Sequence, residues 1–369
     1  MGWNTWNWML DSATYRARVP ALTQNAVLAC ARALVDSGMR DAGYRYVVLD
    51  DCWQAPRRAP DGALAAHPER FPDGIAALAD GIHALGLAFG LYSAPGSLTC
   101  AQQYDGYGGD PLGSLGFEEL DAHTFATWGV DFLKYDWCRA HLNDGLDVAD
   151  AFGRMRRELD RVGRPIVYAI SEYGLFEPWH WAPGMAHQWR TTGDLIPTWE
   201  SILATLDQQA GLAPYARPGA WNDPDMLQVG NGSLTDGENR AHMYLWAVLN
   251  APLMAGNDPR RMPERTRDLL CDPEVIAVNQ DWGGRQGERI GPSAPGEVWA
   301  KPMSDGGAAV VLLNRAEEAR EIAVSAARLP LAAEVRLLRD VGTGKAEPFD
   351  GRVCCTVPGR DAVLVRVQP

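Results

Sequence analysis

The stretch Phe132-Leu133-Lys134-Tyr135-Asp136-Trp137-Cys138 carries the strongest chemical signal in the chain. Side chains alternate along a strand, so Lys134 and Asp136 share one face. That pair is either a structural ion pair or a charged pair at the mouth of a site. In the second case the ammonium favours ionised Asp136, the state a nucleophilic carboxylate needs. A second signal is Trp189-Arg190-Thr191-Thr192-Gly193-Asp194. An Arg followed four residues later by an Asp is commonly a helical surface pair, but Gly193 and two threonines favour a loop. Two carboxylates from different strand ends, one ionised and one able to donate a proton, are what glycosidic-bond cleavage requires; Asp194 is then the donor. Asn222-Asp223-Pro224-Asp225-Met226 reads as an Asx turn around the proline, a common structural use, or as a substrate-contacting loop.

Other chemistries lose their support. The seven histidines show no His-Glu-x-x-His and no paired spacing, which argues against a catalytic zinc. No Gly-x-Ser-x-Gly elbow and no Gly-Lys-Ser/Thr loop occurs, against serine hydrolysis and phosphoryl transfer. A net charge of -13 opposes contact with phosphate backbones. No apolar run of about 18 residues is present, so no membrane span is expected. The seven cysteines are dispersed and odd in number, unlike a disulfide scaffold. The opening residues lack a secretory signal, so the chain reads as cytoplasmic as written, and as extracellular if a leader precedes it. Lysine is rare, at Lys134, Lys301 and Lys345 alone, which makes Lys134 stand out.

Positioning these residues falls to a repeating unit of amphipathic helix, glycine and short β-branched or aromatic run. Helices are expected at 22–35, 75–85, 117–128 and 148–162, ending at Gly38, Gly86, Gly129 and Gly163; strands follow at 44–49, 87–92, 130–135 and 166–170. Such alternation builds either an open doubly wound sheet or a closed eight-strand barrel. Asp50-Asp51, Tyr92, Asp136 and Ser171-Glu172 all fall at or just after strand C-termini, which favours the barrel. No Gly-x-Gly-x-x-Gly follows the first strand, and a dinucleotide fold loses its best support. Short alternating runs at 298–301, 308–313, 321–324, 335–338 and 362–367 indicate a C-terminal antiparallel β-sandwich. The expected division is a (β/α)8 barrel over 1–284 and a β domain over 285–369, with the boundary inside 282–295. Trp3, Trp6, Trp53, Trp137 and Trp221 lie beside the polar strand ends and are candidate stacking platforms for a sugar ring.

Met1-Gly2-Trp3-Asn4-Thr5-Trp6, Leu49-Asp50-Asp51-Cys52-Trp53, Leu133 to Asp136, Arg190 to Asp194 and Trp221 to Met226, in collinear order, resemble glycoside hydrolase family 27. This is the α-galactosidase and α-N-acetylgalactosaminidase family. The resemblance implies a barrel with a C-terminal β domain and retaining hydrolysis of terminal α-galactosides through a covalent glycosyl-aspartate. It implies Asp136 as nucleophile and Asp194 as acid/base, with carboxyl groups about 5–5.5 Å apart. Asp50 and Asp51 match the pair holding the 4- and 6-hydroxyls, Trp6 the wall beneath the ring, Lys134 the 3- and 4-hydroxyl side and Arg190 the 2-hydroxyl contact. Tyr92, Ser171, Glu172, Tyr173, Asp225 and Met226 match further pocket residues, and Cys100 and Cys138 a rim disulfide beside the substrate. A galactose-containing oligosaccharide or glycoconjugate is the implied partner, with no cofactor or metal, for a monomer or homodimer.

Ser171 replaces a cysteine many relatives carry, Tyr173 stands where a Trp is usual, and Trp137 is bulkier than the small residue that often follows the nucleophile. The last difference is expected to narrow the leaving-group side. Glu172, Tyr173 and Leu175 are large where acetamido-accepting relatives have small residues, which favours a plain 2-hydroxyl. The rivals are a β-L-arabinopyranosidase, an α-N-acetylgalactosaminidase, an isomalto-dextranase and, in another class, an inactive carbohydrate-binding protein.

Overall fold

The repeating unit folds as its periodicity indicates, with boundaries displaced by one or two residues. The computed structural model describes residues 1–11, 16–291 and 296–369. Strand β1 is Gly2–Asn4, β2 Tyr46–Leu49, β3 Ala88–Ser93, β4 Phe132–Asp136, β5 Val167–Ser171, β6 Gln188–Arg190, β7 Trp221–Asp223 and β8 Met254–Ala255. Helices Gln24–Asp36, Gly74–His83, Glu118–Thr127 and Val148–Arg161 precede β2 to β5 in turn. Two have side-chain N-caps: Thr23 accepts from the Ala26 amide and Asp147 from the Asp150 amide, satisfying donors that a helix start leaves open. Beyond the last three of these helices, Gly86, Gly129 and Gly163 take φ of 71°, 79° and 69°, a left-handed turn that other residues adopt at a cost.

The strand order is β7-β6-β5-β4-β3-β2-β1-β8. Numbers descend without a reversal, and β8 pairs in parallel with β1. A doubly wound sheet would reverse its order at a switch point; a sheet curling into a barrel brings its last strand back to its first. The chain divides into two compact units, residues 1–190 with 254–262, and residues 191–253 with 263–369.

In the first unit the interior of the sheet is filled by Val48, Phe132 and Ala169, with Tyr46, Val167 and Met254 packed against them. Gly90, on β3, pairs with Val48 on one side and Phe132 on the other. A Cβ there would lie 2.8 Å from Val48 Cγ2 and 3.2 Å from Phe132 Cβ. The glycine is what allows two bulky neighbours to fill the same layer.

In the second unit the antiparallel strands are β9 Glu288–Arg289, β10 Gly296–Pro302, β11 Ala308–Asn314, β12 Arg320–Ser325, β13 Leu337–Asp340, β14 Ala346–Pro348, β15 Arg352–Val357 and β16 Asp361–Gln368. They form one sheet in the order β14-β13-β16-β11-β10-β9 and a second of β12 and β15. Val298, Val310, Leu312, Ile322, Val353 and Val365 contribute to the core between them. The five runs read from the sequence are β10, β11, β12, β13 and β16; β9, β14 and β15 are additional. Part of the expected boundary stretch, residues 292–295, lies outside the described residues, and within it Glu288–Arg289 is a strand paired with β10. Helix Asp236–Val248 opens with a capping box between Thr235 and Glu238 and is tied to β16 by the Arg240–Asp361 ion pair.

Candidate active site

Parallel strands aligned in register deliver their C-terminal residues to one face, and here that face is charged. Tyr92 pairs with Lys134 across β3 and β4, and Asp136 pairs with Ser171 across β4 and β5. Lys134 Nζ lies 2.8 Å from Asp50 Oδ2 and 4.0 Å from Asp136 Oδ2, and 5.4 Å from the centre of the Tyr92 ring. Burial disfavours the ammonium, but the Asp50 and Asp136 carboxylates outweigh that and raise its pKa. The strand alternation therefore does bring Lys134 and Asp136 to a common site, together with Asp50.

Asp50 is held from three sides: its Oδ2 also accepts from Asn4 Nδ2 at 2.6 Å, its amide donates to Thr5 Oγ1, and its Oδ1 accepts from the Asp51 amide. Asp51 accepts from the amides of Cys52 and Ala101 at 2.6 and 2.8 Å. Burial pushes its carboxyl up to about 7 despite those bonds.

Cys100 and Cys138 form the disulfide, as the resemblance implied. Tyr92 is folded around it: the Cys100 amide donates to the Tyr92 hydroxyl at 3.1 Å, and that hydroxyl lies 3.2 Å from Cys138 Sγ. The Tyr173 hydroxyl lies 3.1 Å from Cys100 Sγ and donates to Asp136 Oδ1. The Arg190 guanidinium sits 5.8 Å from the centre of the Tyr173 ring. Trp6 stays partly exposed just beyond β1.

In the second unit, residues 191–195 form a loop rather than a helix, as Gly193 suggested. Thr191 Oγ1 donates to Gln209 Oε1, Thr192 Oγ1 to the Pro224 carbonyl, and the Leu195 amide to Asp225 Oδ2 at 2.7 Å. The exposed Asp194 is thus carried on a segment fastened to the one after β7. That second segment contains the Asx turn, in which the Asp225 amide donates to Asp223 Oδ1. Trp246 Nε1 donates to the Asp225 carbonyl at 2.8 Å, and His242 Nε2 accepts from the Gln228 amide. Burial lowers the His242 pKa to about 3, so the ring stays a neutral acceptor. Met226 is buried beside Asp225 in sequence.

Several of these supports escape a reading of the sequence. Asn4, Thr5 and Trp246 hold site residues through contacts spanning 21 to 46 positions, and His242 braces Gln228 across 14, which no local motif encodes. One expectation needs correction. Trp3, Trp53 and Trp137 are wholly buried, so none of them is a platform. Their indole N–H groups are satisfied by the Asn257 carbonyl, the Tyr92 carbonyl and His141 Nδ1. Trp137 stacks on His141 and packs on Phe152, beneath the surface, and so does not narrow the leaving-group side.

Glu172 lies wholly buried after β5, its Oε2 accepting the Phe176 amide at 2.8 Å. Burial pushes it up to about 8, against the pull of the Phe176, Gly174 and Leu175 amides and of Arg190. A carboxyl whose proton is held to pH 8 when folded but released near 4.5 when unfolded loses stability as pH rises between those values. Glu172→Gln removes that loss. Relative to wild type, the variant should gain roughly 4 kcal/mol between pH 4.5 and 8, read from urea unfolding at several pH values. A difference that does not change with pH contradicts this assignment.

Parallel strands ending in carboxylates, a lysine and aromatic hydroxyls, with an antiparallel sandwich after them, define a barrel enzyme of the glycoside-cleaving class. Residues 1–281 match the family model described as alpha galactosidase A, and residues 293–367 match the alpha galactosidase C-terminal beta sandwich domain. The chain belongs to this α-galactosidase family, glycoside hydrolase family 27. Alpha-galactosidase A of Cellvibrio japonicus is 43% identical over 332 residues, covering 87% of this chain and 77% of the relative. Alpha-galactosidase 2 of Arabidopsis thaliana is 42% identical over 331 residues, covering 90% and 79%. The crystal structure of alpha-galactosidase I from Mortierella vinacea superposes with a TM-score of 0.88 at 31% identity, covering 100% of this chain and 96% of that one.

Proposed function

We propose that this protein is a retaining exo-α-galactosidase that removes terminal α-D-galactosyl residues from oligosaccharides or glycoconjugates by double displacement. The activity rests on family membership through both domains. In this reading residues 1–284 form the catalytic domain and 285–369 the sandwich, in keeping with family matches at 1–281 and 293–367. The mechanism rests on one observation above the rest: Asp136 stands at a strand end with a tyrosine hydroxyl on one oxygen and an ammonium 4.0 Å from the other.

In the first step an Asp136 oxygen attacks the anomeric carbon as the bond to the leaving oxygen breaks, and Asp194 passes its proton to that oxygen. In the second step Asp194 takes a proton from water. The water oxygen attacks the anomeric carbon and Asp136 leaves, so the configuration is restored. Asp50, Asp51 and Lys134 are assigned to the ring hydroxyls, and Trp6, Tyr92, Arg190, Asp225 and Met226 are assigned to further contacts with the ligand. Ser171 Oγ and Glu172 Oε1 are buried with no hydrogen-bond partner among the described residues, and a hydroxyl-rich ligand supplies partners for such atoms.

A panel of nitrophenyl α-galactoside, α-N-acetylgalactosaminide and β-L-arabinopyranoside tests specificity. The galactoside should exceed each of the others in kcat/KM by at least about tenfold. The arabinopyranoside lacks the hydroxymethyl group, which leaves a buried carboxylate short of a partner. A higher kcat/KM for either competitor overturns the assignment.

A further inference from the structure

The loop after β5 is built around a buried carboxyl and held in a conformation its residues disfavour. Glu172 accepts the Phe176 amide, and the Gly174 and Leu175 amides also turn toward it. The turn is a nest of N–H groups closed on the Glu172 carboxyl. To make it, Tyr173 takes φ of 66° and Gly174 takes 75°. A bulky aromatic residue in the left-handed region is costly, and such strain persists where surrounding contacts impose it, commonly at functional sites. The outcome here is the placement of one hydroxyl: Tyr173 reaches Asp136 Oδ1, with Cys100 Sγ 3.1 Å away.

We propose that Tyr173 is a positioning residue whose hydroxyl donates to the non-attacking oxygen of Asp136, leaving Oδ2, on the Lys134 side, to bond the sugar. The proposal rests on the reading of Asp136 as nucleophile. The disulfide fixes the rim against which this hydroxyl lies, and the Glu172 nest aims it. The donated bond stabilises the carboxylate most in the free enzyme, partly in either transition state, and least in the neutral glycosyl ester. It therefore serves chiefly the second step, in which the ester oxygen of Asp136 recovers the electron pair of the breaking carbon–oxygen bond. Removing it slows deglycosylation and does not slow glycosylation.

The test compares wild type, Tyr173→Phe and a protein carrying 3,5-difluorotyrosine at position 173, on dinitrophenyl α-galactoside. With Tyr173→Phe, kcat should fall about tenfold with KM falling alongside, kcat/KM should change little, and a burst of dinitrophenolate should precede the steady state. The acidic limb of kcat/KM should rise by about one pH unit as the carboxylate loses its donor. The fluorinated phenol, a stronger donor, should move that limb the other way. Lys134, 4.0 Å from Asp136 Oδ2, Tyr92, which interacts with it, and the titratable groups at the neighbouring strand ends, Asp50, Asp51, Glu172 and Arg190, are unchanged in all three proteins. Equal falls in kcat and kcat/KM with an unmoved acidic limb would show a merely structural role and overturn the proposal, as would wild-type kinetics. Where Tyr173→Phe fails to fold, the direction in which the fluorinated protein moves the acidic limb decides between the two roles by itself. Trapping wild type with a fluorinated galactosyl fluoride separates the two readings. Label on Asp136 with no kinetic split rejects Tyr173 alone, whereas label on another residue rejects the nucleophile.

Discussion

Asp136→Asn is expected to lower kcat on nitrophenyl α-galactoside by about four orders of magnitude with the fold intact. The amide matches the carboxylate in shape, so the packing of this buried residue on β4 survives. What is lost is the oxygen that forms the covalent bond, and with it both steps of the proposed displacement. The remaining machinery still binds and polarises substrate, so a small residual rate is expected above the uncatalysed one. A more specific signature comes from Asp136→Gly, which opens space beside the anomeric carbon. Azide added there should attack in place of the carboxylate and expel nitrophenolate, giving a galactosyl azide of β configuration. Thermal melts should show both variants folded. Hydrolysis by Asp136→Asn at the wild-type rate removes the mechanism, and a wild type that binds the galactoside without hydrolysing it returns the protein to the carbohydrate-binding alternative.

The parts of this site that are legible in the sequence are those set by a local period. Lys134 and Asp136 fall on one face because strand side chains alternate, and Asp50, which pairs with Lys134, is marked by its place at the end of β2. Gly193 and its threonines mark a loop because small and hydroxyl residues favour turns over helix interiors. The barrel is legible because reactive groups recur at strand C-termini. What is not legible depends on contacts between distant segments. Nothing in the spacing of Asn4 and Asp50, or of Asp225 and Trp246, announces that they bond. The tryptophans illustrate a different limit: a ring beside a strand end has the same local pattern whether it fills the core or stacks on a sugar. Only the burial of Trp3, Trp53 and Trp137 separates the two. Tyr173 reads as a pocket residue from its position, but the direction of its hydroxyl depends on a left-handed backbone that a tyrosine does not advertise.

Lys301→Met is expected to stabilise the protein at neutral pH by roughly 4 kcal/mol. Lys301 lies on β10, wholly buried, and its Nζ has no hydrogen-bond partner among the described residues. Burial pushes its pKa down to about 7, against the opposing pull of Asp281 and with a smaller push from Arg366. Asp281 is itself occupied, accepting from the Ser304 amide and hydroxyl. An unfolded lysine keeps its proton to about 10.5, so between pH 7 and 10.5 the unfolded chain binds more protons than the folded one. Stability of the wild type therefore rises with pH across that window, and the penalty is full at and below pH 7. Methionine fills the same channel without a charge to desolvate. The gain over wild type, measured by urea unfolding, should be largest at pH 7 and shrink toward zero as pH approaches 10.5. A variant less stable than wild type at pH 7, or a gain that does not diminish with pH, would show that the ammonium is paired and solvated in place. Because the change lies within the sandwich strands and touches no residue assigned to the sugar, kcat/KM on the galactoside should stay at the wild-type value while the unfolding midpoint moves.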